Sequence, residues 1–159
     1  MKITKESTTH AGIYKNVHFE IVYHYIPRSN NIDARSFDKG WWTYYISINL
    51  EDLPDRINPD SFWLPFENIS NSFMDYRYTD HKILNEIYFY GGITFYSKSS
   101  GLEEGNPKII KVGCDFAHLC DLDRHYSVED IQEHVKVTID SLYEVIPEYG
   151  KELEVNNEK

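Results

Sequence analysis

Ile131, Val135, Ile139, Leu142 and Ile146 recur at steps of three and four and draw one apolar stripe down a helix. Ser127-Val128-Glu129-Asp130 ahead of the stripe has the form of a capping box with Asp at the N3 position. Acidic residues crowd the first turn, where the helix dipole favours them, and Pro147 stops the run. A helix of about five turns with a single apolar side has to bury it against another layer. The rest of the chain supplies strands for that layer.

Val17, Phe19, Ile21, Tyr23 and Tyr25 alternate with His18, Glu20, Val22, His24 and Ile26, and Pro27 closes the run. Period-two alternation rich in β-branched and aromatic residues predicts a strand. A second strand is predicted over Trp41–Asn49, with Trp42, Tyr44, Ile46, Ile48 and Leu50 toward the core. It pairs antiparallel with the first across a polar loop over residues 28–40. A third strand is expected over Ile83–Ser97, with a bulge or a close backbone approach at Gly91-Gly92. A fourth is expected over Lys108–Phe116, after a loop holding Gly101, Gly105 and Pro107. Residues 1–16 read as a short strand or a loosely held arm. Pro54, Pro59 and Pro65 rule out a long regular element there, and Phe62, Trp63, Leu64 and Phe66 are expected to pack down as a lid. Ile69, Phe73 and Tyr76 suggest a short helix or an ordered loop over residues 67–81. The predicted fold is α+β, a mainly antiparallel sheet with one long C-terminal helix packed on it. Residues 1–147 form one domain and 148–159 a charged tail.

Composition narrows the function classes. The 159 residues are 41% apolar and 15% aromatic, with thirteen tyrosines, which is too apolar for a disordered chain. The formal net charge of −10 argues against duplex nucleic acid as a partner, yet a small anion can still be held by a few N–H groups. Two cysteines make no disulfide framework. With no signal-peptide core and no run of about 18 apolar residues, a cytoplasmic protein without a membrane segment is expected.

Reactive side chains concentrate between Cys114 and His125. Cys114, Asp115, His118, Cys120, Asp121, Asp123 and His125 include the residue types that bind zinc. Their spacing matches no C-x-x-C or H-E-x-x-H arrangement, so Cys114 is expected to be a small buried side chain, with no metal or other cofactor. Asp115, His118 and Asp121 can converge where the strand ends. They suit either acid–base chemistry or hydrogen bonds that pin the turn. No nucleophile motif accompanies them. His10, His18, His24, His81 and His134 show no convergent spacing. Tyr88 and Tyr90 flank the glycine pair. Exposed rings beside a close-approach backbone suit a nucleobase, since stacking supplies about 1–3 kcal/mol per base. A protein partner also uses exposed Tyr and Trp.

Gly91-Gly92-Ile93-Thr94-Phe95, then Val112-Gly113-Cys114-Asp115-Phe116-Ala117-His118 with Asp121, then a capped helix, resembles a group of small phage and prophage proteins. Their pattern runs GGITY, a loop, GFDCAHxxD and a helix. Cys114 stands where the pattern has Phe, Phe116 where it has Cys, and Cys120 has no counterpart, which detaches the cysteines from function. The resemblance implies a phage anti-defence protein acting in the cytoplasm of an infected bacterium. Its expected role is to sequester a cyclic dinucleotide signal as a homo-oligomer, without cleaving it. The expected site joins Tyr88 and Tyr90, chosen as rings beside the glycine pair, to Gly91, Gly92, Thr94, Asp115, His118 and Asp121, which match the pattern, all binding ligand rather than catalysing. The alternatives are a small hydrolase built on the Asp/His cluster and an inhibitor that binds a host protein.

Overall fold

The computed structural model describes residues 6–26, 39–58, 82–99, 109–116 and 125–151. Within them lie strands β1 (Glu6–Tyr14), β2 (Val17–Ile26), β3 (Lys39–Asn49), β4 (Phe95–Ser99) and β5 (Ile109–Asp115). The helices are α1 (Lys82–Glu86) and α2 (Val128–Val145), and a single 3₁₀ turn covers Leu50–Asp52. The strands form one five-stranded sheet in the order β1-β2-β3-β5-β4, every neighbour antiparallel. With α2 against one face, the fold is α+β, as the periodicities predict.

The alternation decides which face meets the helix. On β3, Tyr44, Ile46 and Ile48 are fully buried, and in register beside them on β5 lie Cys114, Val112 and Ile110, also buried. Tyr96 of β4 extends that row. The whole stripe Ile131, Val135, Ile139, Leu142 and Ile146 closes onto this surface. Cys114 is a small buried core side chain, as expected. Ser127 caps α2: its hydroxyl accepts from the Asp130 N–H at 3.2 Å, and the Asp130 carboxylate accepts from the Ser127 N–H at 2.8 Å.

Residues 6–14 are a full strand rather than an arm. Lys15 (φ 48°) and Asn16 (φ 66°) form the two-residue turn that joins β1 to β2. Positive φ at both positions is the type I′ geometry, whose twist matches that of the flanking strands. Tyr143 donates to the Lys15 carbonyl at 2.6 Å and Tyr14 to Asp140 at 3.1 Å, which ties α2 to this hairpin. The packed chain also continues past the boundary drawn at Pro147. Tyr149 is buried and its hydroxyl accepts from the Asn49 N–H at 2.8 Å, while the Gly150 N–H donates to the Asp52 carbonyl.

The expected third strand over Ile83–Ser97 is corrected by the structure. Its first part is α1 followed by a turn, and only Phe95–Ser99 is strand. Leu84 and Ile87 are spaced to bury on one side of a helical turn, and both are buried. Gly91 and Gly92 have φ of 68° and 93°, outside the range of a β-strand. They belong to the turn before β4, not to a bulge within it. The expected lid at Phe62–Phe66, the element over residues 67–81 and the loops over 28–38 and 100–107 lie outside the described residues. Among the described residues no helix is long and apolar enough to cross a membrane.

Candidate functional site

The turn after α1 explains its own glycines. Phe89 and Ile87 are buried, which pulls the chain inward, and the Tyr90 N–H donates to the Tyr44 hydroxyl at 3.1 Å. The Gly92 N–H then closes a tight turn on the Phe89 carbonyl at 3.0 Å, with Gly91 at the position where a positive φ is required. The Thr94 N–H donates to the Gly113 carbonyl at 3.0 Å and leads into β4. The amides of Gly92 and Thr94 are therefore committed within the chain. Space around Gly92 is open, with nothing within 4 Å of a built Cβ, so only its backbone conformation resists a side chain. Gly92→Val should cost about 1–3 kcal/mol through that positive φ, read as an earlier thermal transition. A variant that melts with the parent would show that the turn is not left-handed.

Beside the turn the aromatic residues gather. Tyr90 lies flat on Phe116, ring centroids 4.2 Å apart and planes within 5°. His134 of α2 stands edge-on to both rings at 5.1 and 5.2 Å, and Tyr126 stands edge-on to Phe116 at 4.9 Å. The Tyr90 and Tyr126 hydroxyls meet at 3.4 Å. Two backbone anchors hold the cluster to β3: the Phe116 N–H donates to the Trp42 carbonyl at 2.8 Å, and the Trp42 indole donates to the Tyr126 carbonyl at 3.1 Å. Underneath, the Tyr44 hydroxyl bonds the Thr138 hydroxyl at 2.7 Å, and burial raises its pKa far above the ordinary tyrosine range.

Against this cluster opens a cleft of about 460 Å³ lined by His125, Tyr126, Asp130, Glu133 and His134. Asp130 and His134 are four apart on α2 and so share a side of the helix. The Ser127 backbone N–H is the main reason the Asp130 carboxyl sits below its usual range, aided by the Ser127 hydroxyl and the nearby His134. Asp130 is thus an anion that accepts hydrogen bonds. The helix N-terminus is already capped, so the cleft offers aromatic surface and carboxylates.

Of the residues expected to form the site, Tyr88, Tyr90, Gly91, Gly92 and Thr94 fall on one turn, whereas Asp115, in register with Thr43, alternates with the buried Cys114 and so lies on the other face of the sheet from the cluster. Tyr88 is 42% exposed, and Tyr90 is half-buried in the cluster. His118 and Asp121 lie outside the described residues. Among the described residues no group of three His, Cys, Asp or Glu side chains is placed to hold a metal ion. Sequence reasoning passed over Tyr126, Asp130, Glu133 and His134. The available signal was the Asp130–His134 spacing, one position off the Ile131–Val135 core stripe and so on its flank. Compared with known protein families, curated proteins and solved structures, the chain matches none of them.

Proposed function

We propose that this protein binds a cyclic dinucleotide signal and sequesters it without cleaving it, an anti-defence role of the kind the phage-protein resemblance implies. The observation that carries the proposal is the open cleft beside the cluster of Tyr90, Phe116, Tyr126 and His134. The cleft is open to solvent and offers about 460 Å³ of space against the rings. A base seated there would stack on Tyr126 or His134, and its amino groups would donate to Asp130 and Glu133. The Tyr88–Thr94 turn borders the cluster and takes the phosphate side, through the Thr94 hydroxyl. Asp130 serves as the helix cap and is at the same time a hydrogen-bond acceptor at the mouth of the cleft, which suits recognition of a base edge.

Calorimetric titration with cyclic dinucleotides, followed by denaturation and chromatography of the released ligand, tests this directly. The expected result is binding with intact ligand recovered. Tyr126→Ala should weaken binding about tenfold or more, the loss of one stacked ring, whereas Tyr126→Phe should keep most of the affinity. Linear dinucleotide or mononucleotide in the released pool would establish a hydrolase instead. Absence of heat at about 100 μM ligand would overturn the reading and leave a protein inhibitor as the alternative.

A further inference from the structure

We propose that two copies of this chain join edge to edge through β1, forming one continuous ten-stranded sheet. The inference stands on the geometry of that edge and is independent of the ligand proposed above. β1 is nine residues long, ends the sheet order, and pairs with β2 without a bulge from Glu6↔Tyr25 to Tyr14↔Val17. Among the described residues no strand lies on its outer side. The opposite edge, β4, has only five residues.

The turn fixes which backbone groups point outward. A two-residue type I′ loop makes its flanking residues, Tyr14 and Val17, a hydrogen-bonded pair. Such pairs alternate along an antiparallel ladder. Gly12, His10 and Thr8 therefore bond β2, while Ile13, Ala11, Thr9 and Ser7 turn their N–H and C=O groups outward.

Edges of this kind are ordinarily blunted by proline, lysine, inward charges or bulges. Residues 7–14 (Ser-Thr-Thr-His-Ala-Gly-Ile-Tyr) contain no proline, lysine or carboxylate, and residues 7–11 are exposed. Ile13 adds a large apolar side chain at 62% exposure. In a chain of net charge −10, most surfaces of two copies repel each other, and this edge is a stretch without carboxylates where they can meet.

A second copy fits this edge because the outward residues are complementary to themselves. With a two-fold axis at His10, Ser7 faces Ile13 of the other copy and Thr9 faces Ala11. All outward groups then pair, giving about eight backbone hydrogen bonds along a seam of about 25–30 Å. Any other register leaves some of them unpaired. The axis stands perpendicular to the sheet, so both α2 helices lie on the same side. Thr8 and His10 of both strands then form the floor of a groove between the helices. A seam this narrow belongs to the weaker interface class.

Sedimentation velocity on the full chain, with cross-linking of variants that each add one exposed cysteine to the buried Cys114, tests the register. At about 50 μM the protein should sediment as a dimer. His10→Cys, in a Cys120→Ala background, should form an intermolecular disulfide under mild oxidation, because facing residues in a non-hydrogen-bonded pair have Cα atoms about 4.5 Å apart. Ser7→Cys should not, since the register separates the two copies of that position by about 20 Å. Ala11→Pro removes an outward N–H and should give a monomer with an unchanged circular-dichroism spectrum. A monomer at about 50 μM, a dimer that survives Ala11→Pro, or cross-linking of Ser7→Cys as fast as His10→Cys would each overturn the proposal. Should Ala11→Pro fail to fold, the two cysteine variants decide the question alone.

Discussion

Gly113→Ala should lose about 2–4 kcal/mol of stability, and Gly113→Val should scarcely fold. A Cβ built at Gly113 lies 2.1 Å from the Tyr44 carbonyl oxygen and 2.5 Å from the Tyr45 ring. The first of these is a backbone atom in the central strand, so no rotamer change can relieve it. Gly113 pairs with Tyr45 on one side and Phe95 on the other, and those two rings meet edge to face at 4.9 Å. The missing side chain is the space that the aromatics use, an arrangement that offsets the weakness of glycine in a strand. Urea denaturation of the alanine variant measures the cost. A value within about 0.5 kcal/mol of the parent would show that β3 and β5 are not this close. In the phage-protein pattern this glycine precedes the Asp–His segment. Its contacts here give it a packing role in the sheet, whatever the neighbouring segment does.

The second large effect is expected at Ile139. It is fully buried at the middle of the α2 stripe, and Ile139→Asp would place a carboxylate among the side chains of the sheet. Losing a buried isoleucine costs about 2–5 kcal/mol, and burying an unpaired polar or charged group adds several more. The sum reaches the whole stability of an ordinary domain, about 5–15 kcal/mol, so the variant should be largely unfolded or insoluble. Val137, two positions earlier on the same helix, is 51% exposed. Val137→Asp should therefore change stability by less than about 0.5 kcal/mol. Thermal melts followed at the helix circular-dichroism band compare the two. Equal effects at the two positions would mean that α2 presents a different side to the sheet.

These two residues show the two kinds of information in the chain. Ile139 could be assigned to the core from spacing alone, because a helix's buried side is written in steps of three and four. The same holds for the capping box at Ser127 and for Tyr44, Ile46 and Ile48, where period-two alternation names the buried side of a strand. Each of these patterns is local and repeats along its element, so no knowledge of neighbours is needed. Gly113 could not be read that way. Its role depends on how closely β3 approaches β5, a contact between residues far apart in sequence.

The segment over residues 83–94 marks the limit most clearly. Tyr88-Phe89-Tyr90 has the composition of a strand, and β propensity alone assigns it to one. Tertiary structure overrides that preference: Leu84, Ile87 and Phe89 reach the core from a short helix and a turn, which requires positive φ at Gly91 and Gly92. The candidate site divides in the same way. Tyr90, Gly91 and Gly92 are marked by residue type and by the glycine pair. Tyr126, Asp130 and His134 come to the same place only because α2 lies across the sheet and lays its first turns beside Phe116. Sequence by itself determined the strongly periodic elements, β2, β3 and α2, and their buried sides, since those follow from periodicity within each element. Only the tertiary structure decided that the cleft exists and what lines it, because packing distances between elements have no local signature.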